Sequence, residues 1–387
     1  MKRDELVAIC AMNKIFGYKP KLGLDLMDSF GSASEVFAAD RDHLRKVTGP
    51  CPEYLSYISQ KTLDETEREL EEIEKAGSRF IPVGDPHYPE LLRDCADPPL
   101  GLYLRSDDPQ NVAFNGRPSV AIVGTRDVSQ YGKEICIAIV KALARAKRKS
   151  VIVSGLALGT DITAHLAALD CGLPTIAVMA TGIDEVYPKR HEYYADQIAH
   201  APMSGLVTDY PPHTPPLAPR FMRRNRIIAG LCQATILIES RVKGGGMLTA
   251  GYASGYDREL YAVPGRMDDA RSQGCNWLIA SQKAEAVFDP EKLVDSLGLG
   301  SRKKFGKKDL VTKAREHYSE FLPEEECTEL TKVLSFIREE PESDYQTICS
   351  ALGIEYSRVA YLAGLLEADG FITSDLLSQC CIKTDFS

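Results

Sequence analysis

The middle of the chain, between residues 119 and 288, alternates short apolar runs with segments of helical periodicity. The apolar runs are continuous, which is typical of parallel strands that are buried on both faces. They predict strands at 120–123, 151–153, 175–178, 234–238 and 260–263, with helices between them at 131–145, 160–169 and 224–231. The expected fold class is therefore α/β, with a Rossmann-like, doubly wound and mostly parallel sheet as its core.

The segments on either side of this core have a different character. Residues 4–76 have apolar residues at helical spacing, with Gly31 and Gly77 as helix ends and Ser32 as a helix cap, and they resemble a helix-hairpin-helix or SAM-like unit. Residues 79–112 are broken by prolines and predict an irregular connector. Near the end of the chain, three helical stretches followed by a hairpin predict a winged helix.

This organisation predicts four parts. A small helical N-terminal domain covers residues 1–78, and an extended Rossmann-like domain covers residues 79–298. A linker at 299–322 contains the basic, polar run 301–309, and a winged-helix-like domain covers residues 323–387.

Composition and charge limit the function classes. The 387 residues include 46 Lys and Arg against 55 Asp and Glu, for a net charge of −9. A polycation that coats nucleic acid is excluded, but a local basic groove is not, because charges act over a Debye length of ~8 Å. The 11 cysteines form no Cys-x-x-Cys pair, so we expect reduced core thiols and neither disulfides nor metal sites. No apolar targeting segment or stretch of ~18 apolar residues occurs, so we expect a cytoplasmic protein with no membrane partner.

Glycine-containing turns follow the first two predicted strands. In the first turn, Gly124 allows close backbone approach, Thr125 follows it, and Arg126 supplies a fork of donors for phosphate. The second turn, 154–161, leads into a helix whose free N–H groups favour an anion. Its candidate phosphate-binding residues are Ser154, Gly155, Gly159 and Thr160. The alternative for both turns is a purely structural role.

Two later segments add positive charge. Residues 220–228 hold four arginines and one aromatic residue, a composition that single-stranded nucleic-acid grooves use. We expect the helix to begin near Arg224, which would place basic residues in its first turn. The positive end of the helix dipole disfavours cations there unless an anion is bound. Residues 239–250 contain three successive glycines, whose N–H groups can form an anion nest. The candidate residues of these segments are Phe221, Arg223, Arg224, Asn225, Arg226, Lys243, Gly244, Gly245 and Gly246.

All four segments lie at strand-to-helix turns, which a parallel sheet brings to one edge. Between residues 220 and 246 the acidic Glu239 is opposed by Arg220, Arg223, Arg224, Arg226, Arg241 and Lys243. We therefore expect one basic rim on an acidic protein.

These motifs resemble those of the DprA (Smf) family of bacterial DNA-processing proteins. The matching stretches are 121–126, 154–161 with Ala164 and His165, 224–231, 262–265 and 274–279, with Tyr88-Pro89 and Asp97-Pro98-Pro99 upstream. The order Arg-Asn-Arg-Ile-Ile-Ala-Gly-Leu at 224–231 is highly specific, and the resemblance is dense from about residue 80 to residue 290.

The resemblance implies a cytosolic protein that binds single-stranded DNA, forms homodimers and loads the RecA recombinase onto incoming strands during natural transformation. It implies no established catalytic activity, and we expect no cofactor. It places a DNA contact on Arg126, a phosphate contact on the turn 154–159, a basic edge on 224–226 and a candidate base contact on Phe221. The chain departs from the family pattern at Leu158, Ala180, Met222 and 244–246.

Two alternatives stay open. The first is a nucleotide-binding enzyme similar to nucleoside monophosphate phosphoribohydrolases, but Tyr252 stands where such an enzyme carries a glutamate. Candidate acid or base groups for such an enzyme are Asp161, Asp184, Glu239 and His165, yet no nucleophile–base pair is evident. The second is an adaptor that binds through its C-terminal domain. The helix that would recognise DNA there carries a single arginine, Arg358, so we expect this domain to contact protein.

Overall fold

The computed structural model describes residues 1–49, 52–300, 307–319, 321–340, 343–374 and 379–382. The chain divides into two compact units, Met1–Ser301 and Arg302–Ser387, and a separate hydrophobic core lies in the second. Of the predicted basic linker, residues 301–306 and 320 lie outside the described residues. Within the described chain, no helix combines the length and the apolar character needed to span a membrane.

The first unit begins with a run of helices. They are α1 (Arg3–Phe16), α2 (Pro20–Phe30), α3 (Ala33–Ala38), α4 (Arg41–Thr48), α5 (Pro52–Tyr57) and α6 (Gln60–Lys75). Gly31 ends α2 in the left-handed region, and the Ser32 hydroxyl accepts from the Glu35 N–H at the start of α3, both as predicted. The helices share a core with Phe80 and Tyr103 of the sheet. The domain boundary at residue 78 stays a prediction.

One sheet of nine strands forms the centre of this unit. Its strands are β1 (Ser78–Pro82), β2 (Gly101–Arg105), β3 (Ser119–Val123), β4 (Val151–Ser154), β5 (Thr175–Val178), β6 (Gly205–Thr208), β7 (Ala234–Leu237), β8 (Glu259–Ala262) and β9 (Glu285–Ala286). Their order across the sheet is β1-β2-β6-β5-β4-β3-β7-β8-β9. From β6 to β9 in this order every neighbouring pair is parallel. β2 pairs antiparallel with β6, and β1 pairs antiparallel with β2.

Helices cover both faces of the sheet. They are α7 (Glu90–Arg93), α8 (Gln130–Arg145), α9 (Thr160–Asp170), α10 (Glu192–His200), α11 (Ala218–Gly230), α12 (Gly245–Gly255), α13 (Gln273–Ala280) and α14 (Pro290–Ser296). In β3, Val120 and Ile122 belong to the core formed with α8 and α9, while Ala121 and Val123 belong to the core formed with α11 and α12. Because successive side chains enter opposite cores, the strand is apolar throughout. The predicted Rossmann-like fold class is confirmed.

The prediction of an irregular connector at 79–112 was wrong, because this segment contains β1 and β2. Phe80 lies opposite Tyr103, and Ile81 lies opposite Leu102 in the antiparallel ladder. Pro82 is the last residue of β1, which lies at the edge of the sheet, and a proline is tolerated at such a position. The prolines therefore mark the end of β1 and the loop that precedes β2.

The second unit contains four helices and a two-stranded antiparallel sheet among its described residues. The elements are α15 (Lys307–Tyr318), α16 (Glu324–Glu339), α17 (Tyr345–Leu352), α18 (Tyr356–Ala368), β10 (Ile372–Ser374) and β11 (Cys380–Ile382). Helix α15 occupies part of the segment predicted as a linker, which corrects that prediction. The order of α16, α17, α18 and the hairpin agrees with the expected one, while the winged-helix assignment stays a prediction.

The close approach of β1 to β2 gives a stability prediction. A Cβ added at Gly101 would overlap the ring of Phe80, so Gly101→Ala should lower the free energy of unfolding by about 1–3 kcal/mol. Gly251→Ala is the matched control, because Gly251 is exposed within α12 with open space around it and should gain about 0.5–1 kcal/mol. Urea unfolding of both variants checks this, and equal effects would contradict the tight packing at Gly101.

Candidate nucleic-acid interface

The candidate site lies where the order of the sheet reverses. From β3 the chain proceeds through β4 and β5 in one direction, and β7 and β8 lie on the other side of β3. The loops after β3 and β7 therefore diverge and leave a crevice at the carboxyl edge, where such sheets bind ligands. The Thr125 N–H donates to the Glu239 carbonyl at 2.8 Å, which holds the two loops together at the base of the crevice.

A cavity of about 540 Å³ opens at this position and brings together all four predicted segments, the second of them through Ala157 and Asp161. The predicted site residues that line it are Gly124, Thr125, Arg126, Phe221, Arg224, Asn225, Gly244, Gly245 and Gly246. Residues that the sequence did not single out as site residues also line it, among them Tyr187, Met222, Ser240 and Arg241. The convergence expected from the parallel sheet is therefore present in the structure.

A second and larger cavity, of about 960 Å³, lies next to the first, and Arg126 lines both. Gly159 of the second predicted segment lines it, together with residues of α8, α9 and the 3-10 turn Lys189–His191. Its charged residues are Arg126, Asp127, Lys133, Lys141, Asp170 and Arg190. Lys133, Lys141 and Arg190 were missed, because they are spread along one helix and a distant turn and form no local run of charge.

Aromatic rings flank the exposed guanidinium of Arg126. The Arg126 Cζ lies 5.2 Å from the centre of the Phe221 ring, within the range of a cation–π contact. Tyr187 meets the same ring edge-on, with 5.4 Å between the centroids. Tyr187 comes from the loop after β5, where no local pattern in the sequence marks it. The rim therefore offers a cation and two aromatic rings side by side.

Arg224 differs from the prediction of an exposed phosphate contact, since its side chain forms the floor of the smaller cavity. It is 3% exposed and donates to the carbonyl oxygens of Gly155, at 2.6 Å, and Val178. Burial lowers the pKa of Arg224 to about 10, although Asp161 raises it. Burial also raises the pKa of Asp161, which Arg224 in turn lowers. The positive charge of Arg224 therefore lies at the floor of the smaller cavity.

Arg226 departs further from the prediction, because it faces the interior and lines neither cavity. It is 2% exposed, and its Nη2 lies 2.7 Å from the Asp209 carboxylate. Its Nη1 donates to the Asp97 carbonyl at 2.5 Å. Burial lowers the pKa of Arg226, but Asp209 and Asp97 outweigh this effect and raise the pKa above its ordinary value. This arginine anchors α11 to the loops after β6 and before β2.

The start of α11 explains both differences. The helix begins at Ala218, so Arg224 and Arg226 lie beyond its first turn, where the dipole argument does not apply. Pro219 stands in the first turn, a position that proline favours, and was the available signal for this start. Arg224 is one residue from Arg223 and two residues from Arg226, so its side chain points in a different direction from theirs.

The turn 154–161 is held mainly by internal hydrogen bonds. The Ser154 hydroxyl donates to the Ile122 carbonyl at 2.6 Å, and the Thr160 hydroxyl donates to the Thr125 carbonyl at 3.2 Å. Gly159 has a positive φ of 77° and lies where a Cβ would meet the Thr125 and Arg126 backbone. Ser154, Gly155 and Thr160 are buried. They differ from the prediction of direct phosphate contacts and instead shape the loop that carries Arg126.

The remaining candidates lie outside the two cavities. Lys243 is exposed on the loop after β7, and the Cζ of Arg223 lies 4.4 Å from the centre of the Tyr18 ring. Glu239 is buried and accepts from the Ser129 N–H and hydroxyl at the start of α8, so its charge faces away from the rim. Burial lowers the pKa of His165 to about 3, and its Nδ1 lies 2.7 Å from the Thr175 hydroxyl, which suits a neutral packing histidine.

The two kinds of arginine should respond differently to truncation. Arg226→Ala leaves the buried Asp209 carboxylate without its cation, which should cost about 3–5 kcal/mol of unfolding free energy. Arg126→Ala removes an exposed side chain and should change stability by no more than about 0.5 kcal/mol. Chemical denaturation of both variants tests this difference. A marginal loss in Arg226→Ala would mean that the buried pair does not anchor α11.

Comparison with known proteins agrees with this fold. Residues 79–298 match the family model described as DNA recombination-mediator protein A. DNA processing protein DprA of Bacillus subtilis is 35% identical over 230 residues, which cover 59% of this chain and 75% of that protein. Protein Smf of Synechocystis is 36% identical over 230 residues, which cover 59% of this chain and 56% of that protein.

Two solved structures are similar as well. DNA processing protein A of Streptococcus pneumoniae aligns with a TM-score of 0.61 and 27% identity over 76% of this chain and 98% of its own. DNA processing protein A of Helicobacter pylori, whose structure is described for its mode of binding single-stranded DNA, aligns with a TM-score of 0.50 and 29% identity over 57% of this chain and 95% of its own. Since the family model covers more than half of the chain, this protein belongs to the family of DNA recombination-mediator protein A, the DprA/Smf family.

Proposed function

We propose that the rim formed by the two cavities binds single-stranded DNA. The observation that carries this proposal is the position of Arg126, an exposed arginine that borders both cavities and lies against the Phe221 ring. Arg126 contacts phosphate, while Phe221 and Tyr187 offer faces or edges on which a base can stack. A groove that combines positive charge with aromatic rings is the usual design for single strands. The Helicobacter relative, described as binding single-stranded DNA, supports the same ligand.

The charge around the cavities favours a phosphate chain despite the net charge of −9. The basic lining residues are Arg126, Lys133, Lys141, Arg190, Arg224 and Arg241, and the acidic ones are Asp127, Asp161 and Asp170. Of the acidic group, Asp161 is buried beside Arg224, so the solvent-facing balance is positive. A local excess of this kind concentrates an anionic ligand at the rim even on an acidic protein.

The backbone of the loop after β7 completes the smaller cavity. Gly244, Gly245 and Gly246 line it at the start of α12, which begins at Gly245. Free N–H groups and the positive end of the helix dipole favour a phosphate oxygen at such a place. We assign this loop to contacts with the sugar–phosphate backbone.

The C-terminal unit is assigned to protein contacts. Arg358, the single arginine of α18, is held by Glu329 at 2.9 Å and by Glu326 at 3.4 Å. These carboxylates neutralise the charge that a duplex-binding helix would present to phosphate. Loading of the RecA recombinase, homodimer formation and a cytoplasmic role in protecting incoming DNA are further parts of the proposal, and they rest on membership of the family.

The phosphoribohydrolase-like alternative is not favoured. Tyr252, which occupies the position of the enzyme's glutamate, packs its ring on Tyr256 with 6.2 Å between the centroids. Glu239 caps α8, and His165 is buried, so neither reaches the cavity. The family description is that of a recombination mediator.

Salt titration of oligothymidylate binding tests the proposed site. Affinity should fall as salt rises, because each phosphate contact contributes about −0.7 to the slope of log K against log salt. Arg126→Ala should reduce the slope by about 0.7 and weaken binding by about tenfold or more at moderate salt.

Arg145→Ala is the matched control, since Arg145 is an equally charged and exposed residue at the far end of α8, paired with Glu291. It should bind as the wild type does. Loss of affinity in Arg145→Ala with none in Arg126→Ala would place the DNA elsewhere. An affinity that does not change with salt would exclude a site that binds mainly through phosphate contacts.

A further inference from the structure

A second aromatic–guanidinium pair lies beside the first on helix α11. Phe221 contacts Arg126 on one flank of the helix, and Arg223 contacts Tyr18 on the other. Two helical positions that are two residues apart differ by about 200° around the axis, so these pairs lie on opposite sides of the same turn. Met222 lies between them, is exposed and lines the smaller cavity. An open ridge therefore joins the two pairs.

Tyr18 belongs to the segment 17–21, which joins α1 to α2 and includes the first two residues of α2, and which we name the Tyr18 turn. Its side chain is 63% exposed, although Arg223 lies 4.4 Å from its ring centre. A large ring at that exposure contributes little to the core. The ring is nevertheless held in place by a cation, which leaves it available to a flat ligand.

The Tyr18 turn is fixed to α11 through buried groups. The Asn13 side-chain amide donates to the Asp209 carbonyl at 2.9 Å, and the Asp209 carboxylate holds Arg226 of α11 at 2.7 Å. Asn13, Asp209 and Arg226 are all buried. The C-terminal part of α1 and the middle of α11 are thus tied to one residue, Asp209, so Tyr18 keeps its place relative to the rim.

The charge of this region is positive. Lys19 and Lys21 are exposed within the Tyr18 turn, and Arg220 lies on the same helix as Arg223, with its Cζ 5.7 Å from the Tyr210 ring centre. Over the described part of the chain, no carboxylate lies within ion-pair distance of Arg223, Lys19 or Lys21. Lys19 lies over the Tyr54 ring, 5.2 Å from its centre, as Arg223 lies over Tyr18. Cations that no carboxylate neutralises, placed around an exposed ring, suit a base with its phosphates, whereas an acidic peptide would not need the ring.

We infer that the Tyr18 turn and Arg223 extend the single-stranded DNA site beyond the cavities. A strand that leaves the smaller cavity crosses Met222, stacks a base on Tyr18 and places its next phosphates near Arg223 and Lys21. This inference rests on the proposed function of the rim. It gives the N-terminal helices a direct part in binding, and it makes the N-terminal contribution depend on the length of the strand.

Oligothymidylates of about 6 and about 20 nucleotides test the extension, because the first is near the lower limit and the second exceeds the upper limit of the ~4–16 nucleotides that one single-strand-binding domain covers. Tyr18→Ala should weaken binding of the long strand by about 5- to 100-fold and leave the short strand within about twofold. Tyr18→Phe keeps the ring and should bind as the wild type does. Tyr57→Ala, which removes an equally exposed tyrosine of the N-terminal helices, should change neither affinity.

Photocrosslinking of the long strand with 5-iodouracil in place of thymine gives a direct readout, and Tyr18 should be the modified residue in this turn. If Arg126→Ala weakens both strands while Tyr18→Ala matches Tyr57→Ala and no crosslink forms at Tyr18, the extension is wrong and the proposed function stands. A wild type that binds neither strand would overturn both. Equal losses of the two strands in Tyr18→Ala would also contradict the extension.

Discussion

The parallel pairing of β3 with both β4 and β7 is the constraint on which the site depends. It places β3 at the reversal of the strand order, so the loop that carries Arg126 and the glycine loop before α12 leave the sheet in different directions. The crevice between them is a consequence of topology and needs no special residue to open it. The hydrogen bond from Thr125 to the Glu239 carbonyl then sets how close the two loops come.

Buried arginines convert this crevice into a rigid site. Arg224 ties α11 to the ends of β4 and β5, and Arg226 ties it to Asp209 and Asp97. An unpaired buried charge is expensive, so these contacts hold the helix in one position. The exposed residues Arg126 and Phe221 can then be presented by loops and a helix that do not reorganise when a strand binds. In the most basic segment of the sequence, Arg224 and Arg226 therefore stabilise the structure, while Phe221 is available to the ligand.

The sequence was sufficient for the core of the fold and for the edge that carries the site. Continuous apolar runs identified β3, β4, β5, β7 and β8, since both faces of these strands are buried. β1 and β2 were missed because prolines obscured them, and β6 because Leu206 and Val207 are its only strongly apolar residues. The directions of the arginines on α11 depended on a helix start at Ala218, and the contacts of Tyr187 and Tyr18 depended on tertiary packing. Local patterns carry no information on such contacts.

The central claim is that the carboxyl edge of the sheet holds the DNA strand, and hydrogen–deuterium exchange tests it most directly. The loop at 145–150 is an internal control, because it carries exposed Lys147, Arg148 and Lys149 before β4, at the opposite edge. On addition of oligothymidylate, amide exchange should slow at 124–126 and 241–246 and stay unchanged at 145–150. Protection of 145–150 without protection of 124–126 and 241–246 would contradict the account.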